Sequence, residues 1–270
     1  MPATPDDRYS HGHHESVLAS HRARTAQNSA AYLLPHLAPG QRLLDVGCGP
    51  GTITLDLAAR VSPAEVVALD REPAVLAEVE RLAAERGAAN VTTTSGDVYA
   101  LAFADDSFDV VHAHQVLQHL SDPVAALAEM RRVTREGGIV AARDGDYAGM
   151  SWYPLDPRLE RWSEIYHAVA RANGAEPDAG RRLLAWAHAA GFDDVTPSAS
   201  AWVFADEASR RWWGRTWAER TVSSAVAEQA VAGGIADREE LEDVAAGWRD
   251  WAAHPDAWFG ILHGEILARP

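Results

Sequence analysis

Short apolar runs alternate with longer amphipathic stretches over roughly the first half of the chain. Amphipathic helices are predicted at 52–59, 74–86 and 123–134. Strands that alternate with helices favour right-handed crossovers and a mostly parallel α/β sheet, whose ligands bind at the carboxyl ends of the strands. The runs with the length and composition of buried strands are Leu43–Val46, Glu65–Asp70, Val91–Thr94, Phe108–Ala113 and Ile139–Ala142.

The second half of the chain has a less regular pattern. A helix is predicted at 179–190, strands are predicted at 195–205 and 258–268, and 207–253 has a largely helical pattern. The stretches 147–178 and 207–255 are therefore expected to be insertions above the ligand-binding edge of the sheet. All ten Trp follow residue 150, so this half also differs from the first in composition.

Charge and composition narrow the classes of partner. Hydrophobic residues make up 47% of the chain, which is ordinary for a protein with a buried core. The 24 basic and 39 acidic residues give a net charge of −15, which disfavours a nucleic-acid partner because phosphate binding depends on clustered cations. No apolar run is long enough to span a bilayer, and no signal segment is seen, so we predict a soluble cytoplasmic protein without a membrane partner.

Some classes of chemistry are excluded by residues that the chain lacks. Every basic residue is an arginine, which rules out a lysine Schiff base. The single cysteine, Cys48, rules out an intrachain disulfide and a multi-cysteine zinc site. His11, His13 and His14 stand close together near the N-terminus, but their spacing is no fixed ligand pattern, so a lid segment is expected there and no metal.

The first predicted strand leads into a glycine-rich turn, LLDVGCGPGT, at 43–52. Glycines permit a tight turn and a close approach of the backbone to a ligand. The G-x-G-x-G spacing differs from the G-x-G-x-x-G of dinucleotide binders, which counts against an NAD-dependent oxidoreductase. Asp70 ends the next strand, where a carboxylate can hold both hydroxyls of a ribose. Asp97 follows the third strand, where it can accept from an adenine amine while Val98 packs on the ring.

Several motifs in order resemble the class I S-adenosylmethionine-dependent methyltransferases, in particular the UbiE/Coq5-like branch that acts on small molecules. They are LLDVGCGPGTIT, the acid ending EVVALD, the Gly-Asp pair after strand three, SFDVVHAHQVLQHL and the helix end REGG, which together span roughly 40–143. The resemblance implies a Rossmann-like, seven-stranded, mostly parallel sheet with a C-terminal antiparallel strand and helical lid insertions. It also implies S-adenosyl-L-methionine as cofactor and S-adenosyl-L-homocysteine as product.

The same resemblance assigns cofactor contacts to individual residues. In the family, the region before the first strand often folds over the cofactor. Tyr9 and Arg24 are therefore candidate lid contacts, Arg24 towards the cofactor carboxylate, although a solvated helix face explains Arg24 equally well. The other implied contacts are Gly47, Cys48 and Gly49 for the methionine and ribose, Asp70 for the ribose hydroxyls, Arg71, Asp97 and Val98 for the adenine, and Ala113 and His114 for the methionine end.

Candidate catalytic residues follow strands four and five. His114 and His119 are of the type that acts as a general base near neutral pH, and Asp146, with Asp144 and Tyr147, lies where the methyl acceptor should enter. For each of them a structural hydrogen-bonding role is the alternative. Trp152 and Tyr153 are close enough in sequence to form a pocket wall, whereas the Trp-rich part as a whole is expected to be helical core.

These observations predict three regions and one leading function. The regions are an N-terminal helical lid (1–38), an S-adenosylmethionine-binding core (39–146) and substrate-binding cap insertions with the remaining core helix and strands (147–270). We expect a methyltransferase acting on a small, largely apolar acceptor by O-, N- or C-methylation, in secondary metabolism. A module that binds the cofactor without catalysis and an NAD-dependent oxidoreductase are the alternatives. The acceptor, the methylated atom and the oligomeric state stay undetermined by the sequence.

Overall fold

A seven-stranded sheet forms the centre of the molecule in the computed structural model, which describes residues 21–270. The strand order is β3-β2-β1-β4-β5-β7-β6; β7 is antiparallel to β5 and β6, and the remaining pairs are parallel. The predicted fold class, including the antiparallel last strand, is therefore confirmed. The strands are β1 (Leu43–Val46), β2 (Val66–Asp70), β3 (Val91–Ser95), β4 (Phe108–His114), β5 (Thr134–Tyr153), β6 (Asp194–Phe204) and β7 (Trp258–Arg269).

Helices connect the strands and extend beyond one edge of the sheet. Local signals explain several of their ends: Gly87 closes α3 in the left-handed conformation at φ 66°, and Asp122 accepts a hydrogen bond from the Ala125 backbone N–H at the start of α4. None of the described helices has the length and apolar character needed to cross a membrane. The helices are α1 (Ala26–Ser29), α2 (Thr52–Val61), α3 (Pro73–Arg86), α4 (Pro123–Val133), α5 (Pro157–Ala172), α6 (Leu183–Ala189), α7 (Glu207–Ser223), α8 (Ala225–Ala232) and α9 (Arg238–Ala253), with short 3₁₀ turns at Leu34–His36, Leu117–His119 and Ala179–Arg182.

The ligand-binding edge follows from the strand order. β1 pairs with β2 on one side and with β4 on the other. Successive strands are therefore added towards one edge of the sheet up to β3 and towards the other edge from β4 onwards, so the strand order reverses between β1 and β4. In such sheets the crevice outside the carboxyl ends of these strands is the usual ligand site. The glycine turn, the end of β2 and the end of β4 all meet there.

The fifth strand is much longer than the sequence predicted. We expected Ile139–Ala142, with an insertion beginning at 147, but β5 continues to Tyr153. The reason is its antiparallel pairing with β7, which runs from Val140 opposite Ala268 to Tyr153 opposite Trp258, with a register shift between Asp146 and Ser151. Because this partner strand lies more than 100 residues away in the sequence, the local pattern of β5 does not reveal the pairing or the added length.

Four helices, α5 and α7–α9, form a Trp-rich cap beyond this extension. Trp162 lies edge-to-face against Trp217 and Trp248, with ring centroids 4.6 and 4.9 Å apart. Trp248 in turn packs on Phe259 of β7 at 5.4 Å, which joins the cap to the sheet. The predicted helix at 179–190 is instead a 3₁₀ turn followed by α6.

We predict that Gly264→Ala destabilises the protein by about 3 kcal/mol, the upper end of what overpacking usually costs. A Cβ at Gly264 would overlap the backbone carbonyl of Gly180. The backbone cannot relieve this overlap by a change of rotamer, as a flexible side chain could. Chemical denaturation measures the change. Ala199→Ser, at the exposed position paired with Gly264 on β6, is the control and should leave stability within about 0.5 kcal/mol. Equal stability of the two variants would contradict the prediction.

Candidate functional site

One cavity of about 880 Å³ occupies the carboxyl ends of β1–β4 and continues under the cap. Its two halves differ in chemistry. The sheet-edge half is lined by the glycine turn and by the residues that follow β2 and β3. The aromatic half is lined by side chains from β5, β6, β7 and α7, namely Tyr147, Met150, Trp202, Phe204, Trp212, Trp213, Trp217, Arg220 and Ile261.

The glycine turn forms the floor of the sheet-edge half. Gly47 and Gly49 have φ of 64° and 53°, values that favour glycine, and a Cβ at Gly47 would lie 2.5 Å from Val116 Cγ2. At Gly49 nothing lies within 4 Å of a Cβ position, so the backbone there is open to the cavity. The Gly49 N–H donates to Asp70 Oδ2 at 3.1 Å, which ties the turn to the end of β2.

The acidic residues predicted at the strand ends do line this half. Asp70 Oδ1 accepts from the Glu72 N–H at 3.1 Å, and Asp97 Oδ1 accepts from the Tyr99 N–H at 3.0 Å, so both carboxylates are held by backbone donors. Val98 is buried and lines the cavity, and Arg71 is exposed next to Asp70 in the chain.

Ala113 and Cys48, two residues implied by the resemblance, differ in their position relative to the cavity. Ala113 is fully buried and is absent from the described lining, so its side chain faces the core. Cys48 does line the cavity, but burial, and after it the carboxylates of Asp45 and Asp70, raise the pKa of its thiol well above the ordinary value. A protonated thiol does not suit a nucleophile.

Arg24 lies at the boundary of the two halves. Its Nη2 donates to Gln115 Oε1 at 2.6 Å, and its guanidinium carbon is 5.7 Å from the centroid of the Trp202 ring. Gln115 adopts φ 54°, which is rare outside glycine, and its amide Nε2 lies 2.9 Å from His263 Nε2. Tyr9 and the N-terminal histidines lie outside the described residues.

His114 and His119 both line the cavity. His114 is 6% exposed, and neither ring nitrogen has a hydrogen-bond partner in the described part of the protein. Burial, and then the charges of Arg24 and Arg143, lower its pKa well below the usual value. Burial and Arg24 lower the pKa of His119 to about 3. Both imidazoles are therefore neutral at pH 7. They can form hydrogen bonds, but they are too weakly basic to hold a proton at that pH.

Asp146 was predicted as a catalytic candidate, but its position is that of a structural anchor. The carboxylate is 1% exposed, lies outside the described lining, and accepts from Arg181 Nε at 2.6 Å and from the Gly149 N–H at 2.9 Å. Asp144 is fully buried and accepts from the Gln118 N–H at 3.1 Å, under the cavity rather than in it. Tyr147 does line the cavity, where it stacks on Tyr166 with ring centroids 4.1 Å apart.

The aromatic half consists mostly of residues that sequence reasoning missed. Trp152 stacks on Phe259 and Tyr153 is 56% exposed, so neither forms the expected wall. The wall is formed by β6 and α7, where Phe204 and Trp213 stack at 4.3 Å between centroids. The available signal was the spacing of Trp213 and Trp217, four positions apart and so on one face of a helix, which the general richness in Trp obscured.

Comparison with known proteins places the chain in a family. A family model described as a methyltransferase domain matches residues 37–202, and the chain belongs to that family. An uncharacterized methyltransferase of Schizosaccharomyces pombe is 34% identical over 96% of this chain and 95% of its own length. A probable methyltransferase of Aspergillus luteorubrus, ltbC, is 29% identical over 97% of both chains. A demethylmenaquinone methyltransferase of Parafrankia is 33% identical over 60% of this chain and 68% of its own, which confirms the resemblance to the UbiE-like branch.

Solved structures share the fold at lower identity. YcgJ of Bacillus subtilis superposes with a TM-score of 0.60 at 19% identity, over 90% of this chain and 98% of its own. The [4+2]-cyclase SpnF gives 0.55 at 24% identity, over 98% and 89%. Phosphoethanolamine N-methyltransferase 2 of Haemonchus contortus, solved with S-adenosylhomocysteine, gives 0.56 at 19%, over 90% and 53%. The fold is thus that of methyltransferases, and it also occurs in a protein named for a different reaction.

We predict that Asp144→Asn stabilises the protein more at pH 8 than at pH 5. Burial raises the pKa of the Asp144 carboxyl from 3.8 to about 7, so the folded protein holds a proton that the unfolded chain releases near pH 4. The wild type therefore loses stability as the pH rises from 4 to 7, by as much as about 4 kcal/mol for such a displacement, and asparagine cannot ionise.

Thermal unfolding at the two pH values measures this difference. Asp146→Asn provides the contrast: it weakens the ion pair with Arg181 and should lower the melting temperature at both pH values. A gain for Asp144→Asn of the same size at pH 5 and pH 8 would show that the carboxyl does not titrate between them.

Proposed function

We propose that the protein is an S-adenosylmethionine-dependent methyltransferase that acts on a small, largely apolar acceptor. The observation that carries this proposal is a single cavity with carboxylates and a glycine turn in one half and an aromatic wall in the other. The first half suits a nucleoside and the second an apolar molecule, and the two are continuous, as the transfer of a group between two ligands requires.

The residues of the sheet-edge half fit the proposed cofactor. The Asp70 carboxylate, at the end of β2, would accept from the ribose hydroxyls, and the open backbone at Gly49 leaves room for the adjoining chain. Arg24 would face the cofactor carboxylate. When bound, the cofactor supplies a methyl group on a positively charged sulfur. The further cofactor residues in this proposal are Gly47, Cys48, Arg71, Asp97, Val98 and His114, whereas Ala113 contributes packing behind the site.

The aromatic half would hold the acceptor and exclude water. Alignment of the reacting atoms and exclusion of water supply most of the acceleration for a displacement whose leaving group departs neutral. His114 and His119, both neutral, lie where they can hydrogen-bond a polar group of an otherwise apolar acceptor. Asp146 has no part in this proposal because its carboxylate accepts a hydrogen bond from Arg181 Nε.

The relatives support the class of reaction and leave the acceptor atom open. Their names include a demethylmenaquinone methyltransferase and a probable methyltransferase of a fungus, and a structural neighbour is named as an N-methyltransferase. A small acceptor, as in secondary metabolism, is consistent with these names and with the aromatic half. The SpnF fold neighbour is a reason to measure the transfer itself as well as binding.

We predict that Asp70→Asn weakens the binding of S-adenosylhomocysteine by about 10- to 100-fold, the usual worth of a hydrogen bond to a charged group. Isothermal titration calorimetry measures this change. Asp193→Asn is the matched control because Asp193 is an exposed acid just before β6, at the opposite edge of the sheet. A folded Asp70→Asn protein that binds as tightly as the control would refute the cofactor site.

Turnover separates an enzyme from a binding module. Incubation with S-adenosylmethionine carrying a labelled methyl group, and with phenols, amines and quinols as acceptors, should give a labelled small-molecule product. Tight binding of the cofactor with no transfer to any acceptor would favour the module instead.

A further inference from the structure

Two glutamines in the segment that follows β4 each form a hydrogen bond to an imidazole. Gln115 and Gln118 both line the cavity, and both ends of each side-chain amide are engaged. An amide oxygen only accepts hydrogen bonds and an amide nitrogen only donates them. The direction of every bond along these two short chains therefore follows from the group that faces the amide oxygen.

The side-chain amide of Gln118 is held by β5. Its Oε1 accepts from the Gly145 backbone N–H at 3.0 Å, and the Gln118 backbone N–H donates to Asp144 Oδ1 at 3.1 Å. The reverse orientation of the amide would place two donors against each other, so Nε2 is the end that lies 3.0 Å from His119 Nε2. Because Gln118 Nε2 donates, His119 Nε2 accepts through its lone pair and carries no proton.

Gln115 forms the same arrangement with a different first donor. A guanidinium group has donors only, and Arg24 Nη2 lies 2.6 Å from Gln115 Oε1. The amide nitrogen of Gln115 therefore donates to His263 Nε2, which is 2.9 Å away. His263 belongs to β7 and is fully buried, so this second chain connects the boundary of the cavity with the interior of the sheet.

Both imidazoles are neutral, so each ring carries one proton. Burial, and after it the charge of Arg24, lowers the pKa of His119 to about 3. Burial, and after it the charges of Arg143 and Arg24, lower the pKa of His263 well below the usual value. A neutral imidazole has one N–H. Since Nε2 accepts in both rings, that proton is on Nδ1.

We infer that the two glutamines are positioning residues: each sets the tautomer of the histidine that its amide nitrogen faces, with the ring proton on Nδ1. The inference rests on the proposed function for the role of the cavity, whereas the tautomers belong to the protein without ligands. It bears on His119, which the sequence put forward as a general base. The Nε2 lone pair that such a base would use already accepts from Gln118, and the other ring nitrogen is a donor.

Nitrogen NMR of the full chain, labelled with nitrogen-15 histidine and free of ligands, tests the inference. Protonated and unprotonated ring nitrogens have well-separated shifts, and couplings to the ring C–H groups distinguish Nδ1 from Nε2. His119→Gln and His263→Gln each lack one set of signals and so assign these rings among the twelve histidines. We expect Nδ1 to be protonated and Nε2 unprotonated in both rings near pH 7. A protonated Nε2 in either ring would overturn the inference.

Exchange of each glutamine for glutamate separates the two positioning roles. Glutamate keeps the oxygen that accepts from the first donor and replaces the amide nitrogen by a second acceptor, so the facing Nε2 has to carry the proton. At pH 8 we expect Gln118→Glu to move the proton of His119 to Nε2 and to leave His263 unchanged. Gln115→Glu should do the reverse. A facing ring that keeps an unprotonated Nε2, or a variant that changes both rings alike, would overturn the inference.

The wild-type tautomers decide the question even if a variant fails to fold. Calorimetry with S-adenosylhomocysteine reports separately on the proposed function. Loss of that binding, with both tautomers as expected, would refute the methyltransferase and not the positioning role of the glutamines. Intact binding with the opposite tautomers would refute the positioning role alone.

Discussion

The antiparallel pairing of β5 with β7 is the constraint on which both halves of the cavity depend. In the core, this ladder completes the sheet whose parallel strands end at the glycine turn and at Asp70. Beyond the core, the same ladder carries Phe259 under the Trp cluster of the cap, and β7 also pairs with β6, which supplies Trp202 and Phe204. The pairing of β5 with β7 thus connects the sheet-edge half of the cavity with its aromatic half.

The two halves of the cavity differ in their charged and polar side chains. Acids held by backbone N–H groups stand at the strand ends, and histidines kept neutral by burial and by arginine stand at the boundary. A sulfonium donor would meet complementary charge at the acids of the sheet-edge half. Burial is the larger cause of the lowered pKa values of His114 and His119, and repulsion from Arg24 adds to it.

The sequence allowed the parallel core to be predicted because its signals are local. Strand β1, the glycine turn and Asp70 each follow from a few neighbouring residues, and the structure has them at the predicted positions. The aromatic wall did not follow in this way. Trp202 lines the cavity because β6 pairs with β7. Trp152 stacks on Phe259 and does not line the cavity. The pairing of Asp146 with Arg181 could not be predicted for the same reason, since Arg181 lies 35 positions further on.

Arg24 contacts side chains on both sides of the boundary, Gln115 after β4 and Trp202 on β6. A ligand that displaced this guanidinium in one half would also alter the surroundings of a ligand in the other, and the two binding events would then be thermodynamically coupled. Coupling of this kind is reciprocal: whatever factor one ligand imposes on the affinity of the second, the second imposes on the first. A single arginine that precedes the first strand of the sheet thus lies where it could transmit such a coupling between the two halves of the cavity.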